Sequence, residues 1–98
     1  MRMPPLAALA LCALVPLPAL AQNPICAPTG EIVAAAVEAR KAGKRAGAAR
    51  SEIRRALGSD GRAYAPAVQP LVDWVYELPE ADLQKDVAGS WVAQCEAQ

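Results

Sequence analysis

The sequence contains no histidine and no phenylalanine, and its aromatic residues are two tryptophans and two tyrosines. The absence of histidine removes the side chain that most often acts as a general base near neutral pH and as a metal ligand. Neither a G-x-S-x-G segment nor a glycine-rich phosphate loop is present. We therefore expect no enzymatic activity, no catalytic residues, no metal and no cofactor.

An uninterrupted apolar run of membrane-spanning length is also absent. The N-terminal run LAALALCALVPLPAL is broken by prolines near its end, whereas a membrane helix needs about 20 apolar residues. Arg2 precedes this run and an A-x-A triplet overlaps its end at residues 19–21, a pattern typical of a secretory signal peptide. The sequence predicts a signal peptide over residues 1–21, cleaved after Ala21. A single domain over residues 22–98 would then be periplasmic or extracellular, without a membrane span.

Cysteine is scarce, with three residues in the whole chain. Cys12 lies in the predicted signal peptide, which leaves Cys26 and Cys95. Two thiols of a small exported domain usually pair, and their wide spacing differs from the C-x-x-C of redox-active pairs. We expect a structural disulfide, which would close a loop of roughly 70 residues and stabilise a small core by about 4 kcal/mol.

The apolar residues recur with helical spacing, and no alternating run typical of a strand is present. The pattern predicts an all-α four-helix bundle with three substantial helices and one short helix, closed by the disulfide. The first helix is expected to start at a Thr29 cap, just after Cys26, and to stop near Gly43. The second, short and rich in alanine, is expected to end at Gly58.

Prolines set the expected limits of the last two helices. Because proline fits only the first turn of a helix, Pro66 and Pro70 place the start of the third helix at about Ala67, with a separate turn possible over residues 62–65. Pro79 is expected to open the fourth helix. Four of its residues recur every four positions and predict its inner face: Leu83, Val87, Trp91 and Cys95.

Three short elements carry a resemblance to known proteins: EARKAG, VYELP and SWVAQC. Together with the terminal cysteine pair, they make the chain similar to small uncharacterised exported all-helical proteins. That resemblance implies an exported helical fold and no particular activity. In layout alone, the chain also resembles the small helical acid-stress chaperones of the bacterial periplasm, which contain one disulfide.

Charge is distributed unevenly although the net charge is zero. Residues 40–62 contain eight basic residues against Glu52 and Asp60, a balance of +6, and residues 73–96 contain six acidic residues against Lys85, a balance of −5. The basic segment is a candidate site for an acidic protein or an anionic envelope surface. Alternatively, the two halves face each other or only solvate their helices. Nucleic acid is not expected, because the basic stretch has no aromatic residue for base stacking.

Single residues refine these expectations. The candidate binding surface comprises Arg45, Arg50, Arg54, Arg55 and Trp74. Trp74 lies at the margin of the inner face of the third helix, where it could instead close the edge of the core. Arg40 falls on the inner face of the first helix, so a structural role is expected in which it pairs with a carboxylate or carbonyl or reaches solvent at the helix end. Asp82 and Asp86 are expected on a solvated helix face.

The sequence thus favours a non-enzymatic exported protein, an interaction or accessory module of the cell envelope. A periplasmic acid-stress chaperone is the first alternative, in which acid would neutralise the acidic half and release it from the basic half. A small inhibitor of a secreted hydrolase is the second. The sequence predicts neither the ligand nor the oligomeric state.

Overall fold

The computed structural model describes residues 23–98. The predicted signal peptide and Cys12 lie outside the described residues. Within residues 23–98 the chain forms four α-helices and two short 3-10 helices, with no strand. The predicted all-α class and the predicted number of helices are therefore confirmed.

The four helices are α1 (Cys26–Lys41), α2 (Ala46–Leu57), α3 (Ala65–Glu77) and α4 (Val87–Glu96). One 3-10 helix, Arg62–Tyr64, leads directly into α3, and the other, Glu80–Gln84, lies between α3 and α4. Helix α1 packs against the three other α-helices, and α3 also packs against α2. The result is a bundle in which α1 is central.

Helix α1 begins one turn earlier than the sequence predicts, and Cys26 is its first residue rather than the residue ahead of it. The carbonyl of Asn23 accepts a hydrogen bond from the Cys26 amide (3.1 Å), and the Asn23 side chain accepts one from Ile25 (3.2 Å). Thr29 is therefore not a cap. It is buried inside the helix, and its hydroxyl donates to the Ile25 carbonyl (2.5 Å), a way for a threonine to satisfy its hydroxyl within a helix.

Helix α3 also begins earlier than expected, at Ala65 instead of Ala67, and it contains Pro70 beyond its first turn. Proline removes one hydrogen bond from a helix interior. Both Pro66 and Pro70 are exposed, whereas Val68 and Val72 on the opposite side are fully buried. Burial of that apolar face thus outweighs the backbone bond lost on the exposed side.

Helix α4 starts later than predicted, because Pro79 opens the separate 3-10 helix and not α4 itself. The backbone is extended at Lys85, and the Asp86 carboxylate then accepts a hydrogen bond from the amide of Gly89 (2.9 Å). Aspartate is among the preferred residues at this position. The expected stripe is thus split between two elements, with Leu83 in the 3-10 helix and Val87 in α4, and both are buried.

The core is formed mainly by valine, isoleucine and alanine side chains of α1, α2 and α3. Val33, Val68, Val72 and Val75 are fully buried, and Trp91 and Tyr76 pack against the core from its edge. The other buried members of the core cluster are Ile32, Ala36, Val37, Ala39, Ala49, Ile53, Leu83 and Val87. Each of the inner faces predicted for α1 and α3 therefore contributes to one core.

The disulfide joins Cys26 to Cys95 across 69 positions, as predicted. It connects the first turn of α1 to the last turn of α4. One turn along α1 lies Gly30, where a Cβ atom would come within 2.3 Å of the Val92 Cγ2 atom of α4. The glycine therefore permits the two helices to approach closely beside the disulfide.

Candidate interaction surface

Three arginines extend from α2 into solvent. Arg45 immediately precedes the helix, and Arg54 and Arg55 lie in its last turn, where positive charge interacts favourably with the helix dipole. All three are exposed. None forms an ion pair within residues 23–98. Arg45 lies at one end of α2 and Arg54 and Arg55 lie at the other, about 13 Å further along the helix axis. We call these exposed arginines at the two ends of α2 together the α2 arginine surface.

Arg50 differs from the other arginines of α2, because it joins the basic segment, residues 40–62, to the acidic segment, residues 73–96. Its guanidinium lies 2.5 Å from the carboxylate of Asp73 on α3. The two side chains are 29% and 40% exposed, so solvent screens the pair and its contribution to stability is below about 1 kcal/mol. Arg50 is therefore engaged inside the molecule.

Trp74 is 37% exposed and lies away from the arginines. It lines a cleft of about 170 Å³ together with Leu78 and Val87, near the Lys85–Asp82 ion pair. Residues 73 and 74 project from α3 about 100° apart, and Asp73 faces α2. Trp74 and the α2 arginine surface consequently lie on different sides of α3, and the structure does not bring them into one patch.

Arg40 binds the C-terminal end of α3. Its Nη1 atom donates to the carbonyls of Val75 (2.7 Å) and Leu78 (2.8 Å), and its guanidinium lies 6.0 Å from the centre of the Tyr76 ring. Carbonyls at the end of a helix have no partner within the helix. The Val75 carbonyl also accepts from the Leu78 amide (3.2 Å). The half-buried Arg40 side chain thus supplies a second donor to Val75 and a donor to the carbonyl of Leu78, the residue after α3, and it connects α1 to the end of α3.

Two further polar contacts hold the turn between α1 and α2. The Tyr76 hydroxyl donates to the Lys44 carbonyl (2.7 Å), and the Lys44 ammonium pairs with Glu52 of α2 (2.8 Å). The hydrogen bond from Lys44 lowers the pKa of Glu52 below its usual value of 4.5, and burial raises the pKa of Tyr76 above 10.0. Both interactions orient the turn that carries Arg45.

A groove that the sequence did not predict runs between α1 and α2. It consists of two clefts of about 410 Å³ each, which share Ala35, Ile53 and Ala56. Four carboxylates lie along it, namely Glu31, Glu38, Glu52 and Asp60, together with the single ammonium group of Lys44. We call it the α1–α2 groove. Helical spacing of Glu31, Ala35 and Glu38 on α1 is the sequence signal that could have indicated it.

Asp82 and Asp86, which the sequence placed on a solvated helix face, do not lie on one helix. Asp82 lies in the 3-10 helix and binds Lys85 (3.1 Å), whereas Asp86 caps α4. Nowhere in residues 23–98 do three or more potential metal ligands cluster. None of the helices in this part of the chain combines the length and apolar character needed to cross a membrane.

Comparison with protein-family models, with curated proteins and with solved structures found no match to this chain. The resemblance carried by EARKAG, VYELP and SWVAQC therefore stays a prediction from the sequence.

Proposed function

We propose that this chain is a non-enzymatic exported protein, an accessory or interaction module of the cell envelope that binds an acidic partner protein through the α2 arginine surface. The observation that carries the proposal is that Arg45, Arg54 and Arg55 are exposed without an ion-pair partner in residues 23–98. Their positive field is available to a partner of opposite charge.

The chemistry of the surface favours a protein over a lipid membrane. Each residue is an arginine, whose planar guanidinium binds carboxylates and phosphates alike in bidentate geometry, so the apolar residues of α2 decide between the two kinds of partner. A helix that lies on a membrane also inserts an apolar face, but the apolar residues Ala49 and Ile53 of α2 are buried in the core. Electrostatic attraction to anionic lipid contributes only about 1 kcal/mol per basic residue.

The disulfide supports the exported part of the proposal. Disulfides persist in oxidising compartments and are rare in the cytosol, and here one joins the first and last helices. The absence of histidine from the sequence supports the non-enzymatic part. The proposal treats the protein as a binding module that the disulfide holds in a fixed shape.

The chaperone alternative needs acid to separate the two charged halves. The side-chain ion pair that joins them in the described residues is Arg50–Asp73, which is partly exposed, and such a pair contributes little. Arg40 adds a link to α3, but through carbonyl acceptors that do not titrate. The contacts between the halves therefore favour the binding module over acid-triggered opening.

The proposal can be tested with two anionic probes, poly-glutamate and vesicles containing phosphatidylglycerol. The oxidised protein should bind poly-glutamate at low salt, and physiological salt should weaken the binding strongly. The double reversal Arg54→Glu/Arg55→Glu should lower the affinity at least tenfold. Lys41→Glu/Arg62→Glu changes two exposed cations away from α2 by the same net charge, and it should have a much smaller effect.

Equal losses in the two double variants would show that net charge, not the α2 arginine surface, governs binding, and would contradict the proposal. Binding to vesicles but not to poly-glutamate would assign the surface to lipid headgroups instead of a protein. Absence of binding to either probe at low salt would reject both partners.

A further inference from the structure

The α1–α2 groove runs along the whole helical hairpin. Its lining positions on α1 recur every three or four residues between positions 28 and 42, and those on the α2 side do so between positions 49 and 60. With a rise of 1.5 Å per residue, the α1 side is about 21 Å long. That length corresponds to about four helical turns, or a partner helix of roughly 14 residues.

The floor of the groove is apolar, and several of its side chains are the small ones of alanine. Ile32, Ile53, Ala39 and Ala49 are buried beneath it, and Ala35, at the junction of the two clefts, is exposed. Alanine has too little side chain to fill the space between two helices. The groove therefore has room for larger apolar side chains from a binding partner.

The edges of the groove are acidic. Glu31, Glu38 and Asp60 form no ion pair within residues 23–98, and Glu52 is engaged by Lys44. The edges are thus negative although this part of the sequence is basic overall. A partner that carries lysine or arginine beside its apolar face would complement both features.

A second copy of this chain does not supply such a partner. The large apolar side chains exposed in residues 23–98 are Ile25 and Trp74, and neither lines the groove. The outer positions of α2 contain glycine, alanine, serine and arginine, so the hairpin of another copy would leave the groove unfilled. The arginines alone would match only its edges.

We infer that the α1–α2 groove binds a basic amphipathic helix of another protein, with large apolar side chains at i, i+3 or i+4, and i+7 and basic residues on both flanks. This site shares no lining residue with the α2 arginine surface, although Arg55 lies near enough to Glu52 at the edge of the groove to assist Lys44 in lowering the pKa of that carboxyl. The groove takes a basic partner, whereas the arginines take an acidic one. The protein would then contact an acidic surface on one side and a basic helix on the other.

A 14-residue Leu/Lys peptide with apolar residues at helical spacing is a suitable probe. It should bind the oxidised protein, with NMR shift changes at Ala35 and Ala56 and fluorescence anisotropy as readouts. The double variant Ala35→Gln/Ala56→Gln, which alters two exposed groove positions, should lower the affinity at least tenfold. Ala34→Gln/Ala48→Gln changes two exposed alanines that do not line the groove, and should leave the affinity unchanged.

Charge is tested separately. The triple variant Glu31→Gln/Glu38→Gln/Asp60→Asn should lower the affinity at least fivefold, whereas neutralising Glu77, Glu80 and Glu96, which are exposed elsewhere, should have little effect. A Leu/Glu peptide with the same apolar spacing should not bind. Circular dichroism of each variant establishes that the helices are intact.

Several results would overturn the inference. The first is that the Leu/Lys peptide does not bind. The second is that Ala35→Gln/Ala56→Gln and Ala34→Gln/Ala48→Gln bind it equally well. The third is that the NMR shift changes occur at residues outside the groove. A dimer that Ala35→Gln/Ala56→Gln converts to a monomer would assign the groove to a second copy instead. The reversal Arg54→Glu/Arg55→Glu tests the proposed function on a different surface and a different probe, so either idea can fail without the other.

Discussion

Helices α2 and α4 both pack against α1, but they are held there by different means. Of the ten residues of α4, only Val87 is buried, and the helix is joined to α1 by the Cys26–Cys95 disulfide. Helix α2 has no covalent link and buries Ala49 and Ile53. A cross-link thus supplements the partly buried contacts of Ala88 and Trp91 at α4. Helix α2 is held by apolar contacts, by the Arg50–Asp73 ion pair to α3 and by the Lys44–Glu52 ion pair to the preceding turn.

The difference bears on function, because both candidate surfaces include residues of α2, which has no cross-link. The outer side of α2 consists of small residues and arginines, and one flank of the helix lines the α1–α2 groove. Helix α4 instead fixes the start of α1 from the opposite side. The comparison predicts that damage to the α1–α4 contact reduces stability most, whereas changes around α2 have smaller effects on folding.

Removing the disulfide should have the largest effect. Cys26→Ala/Cys95→Ala should lower the free energy of unfolding by about 4 kcal/mol, from the loop-closure entropy returned to the unfolded chain. In urea titrations with hydrogen exchange, α4 amides should lose protection before those of α3. Val72→Ala, in the core of α3, should cost about 2 kcal/mol without exposing α4 selectively. Equal protection of α4 and α3 in the cysteine-free protein would contradict the comparison.

The close approach at Gly30 should have the second largest effect. In Gly30→Ala the new Cβ atom lies 2.3 Å from the Val92 Cγ2 atom unless the Val92 side chain rotates or α4 shifts, so the unfolding free energy should fall by about 2 kcal/mol. Adding Val92→Ala removes that methyl group, and the double variant should recover most of the loss in chemical denaturation.

Gly47→Ala is the matched control, because Gly47 lies in α2 and its nearest contact would be Arg50 at 3.9 Å. Alanine is favoured over glycine in a helix by about 0.5–1 kcal/mol, so this variant should be slightly more stable than the wild type. A loss of stability in both alanine variants would show that the α1–α4 contact is not special.

The parts of the fold that depend on apolar periodicity could be predicted from sequence. The helical spacing of apolar residues indicates which ones are buried, and the structure has them buried: Ile32, Val33, Val68 and Val72. The disulfide was predicted because two thiols of a small exported domain usually pair.

The predicted starts of α1, α3 and α4 were wrong. At α3, burial of Val68 and Val72 outweighs the proline signal. At α1 and α4, other residues make the first hydrogen bonds of the helix. At α4, Asp86 captures the Gly89 amide and prevails over the proline signal at Pro79.

The surfaces were less predictable, because a charge count along the chain averages over all sides of a helix. The count assigned +6 to residues 40–62, yet Glu52 and Asp60 face the α1–α2 groove with Glu31 and Glu38 of α1. Trp74 and Asp73 are neighbours in sequence but lie on different sides of α3. Only the packing of α1 against α2 shows which charges share a surface.

Arg40 offers a polar counterpart to the disulfide, since it joins α1 to the end of α3 without a covalent bond. Arg40→Met should lower the unfolding free energy by about 1.5 kcal/mol, because the carbonyls of Val75 and Leu78 lose a charged donor. Arg40→Lys should recover part of it. Lys41→Met, at an exposed neighbouring position, should change stability by less than about 0.5 kcal/mol. Equal effects at residues 40 and 41 in thermal denaturation would exclude this role.

The smallest expected effect concerns the Lys44–Glu52 pair beside α2. Because the pKa of Glu52 is lowered in the folded protein, chiefly by the hydrogen bond from Lys44, the pair stabilises the fold at pH values above about 4.5. That contribution is lost as the pH falls through the folded-state pKa. In an NMR titration of the side-chain carboxyl carbon, Lys44→Gln should raise the pKa of Glu52 toward 4.5, while Lys85→Gln should not. An unchanged titration of Glu52 in Lys44→Gln would show that the pair does not persist in solution, and that apolar contacts, the Tyr76–Lys44 hydrogen bond and the Arg50–Asp73 pair hold α2 without it.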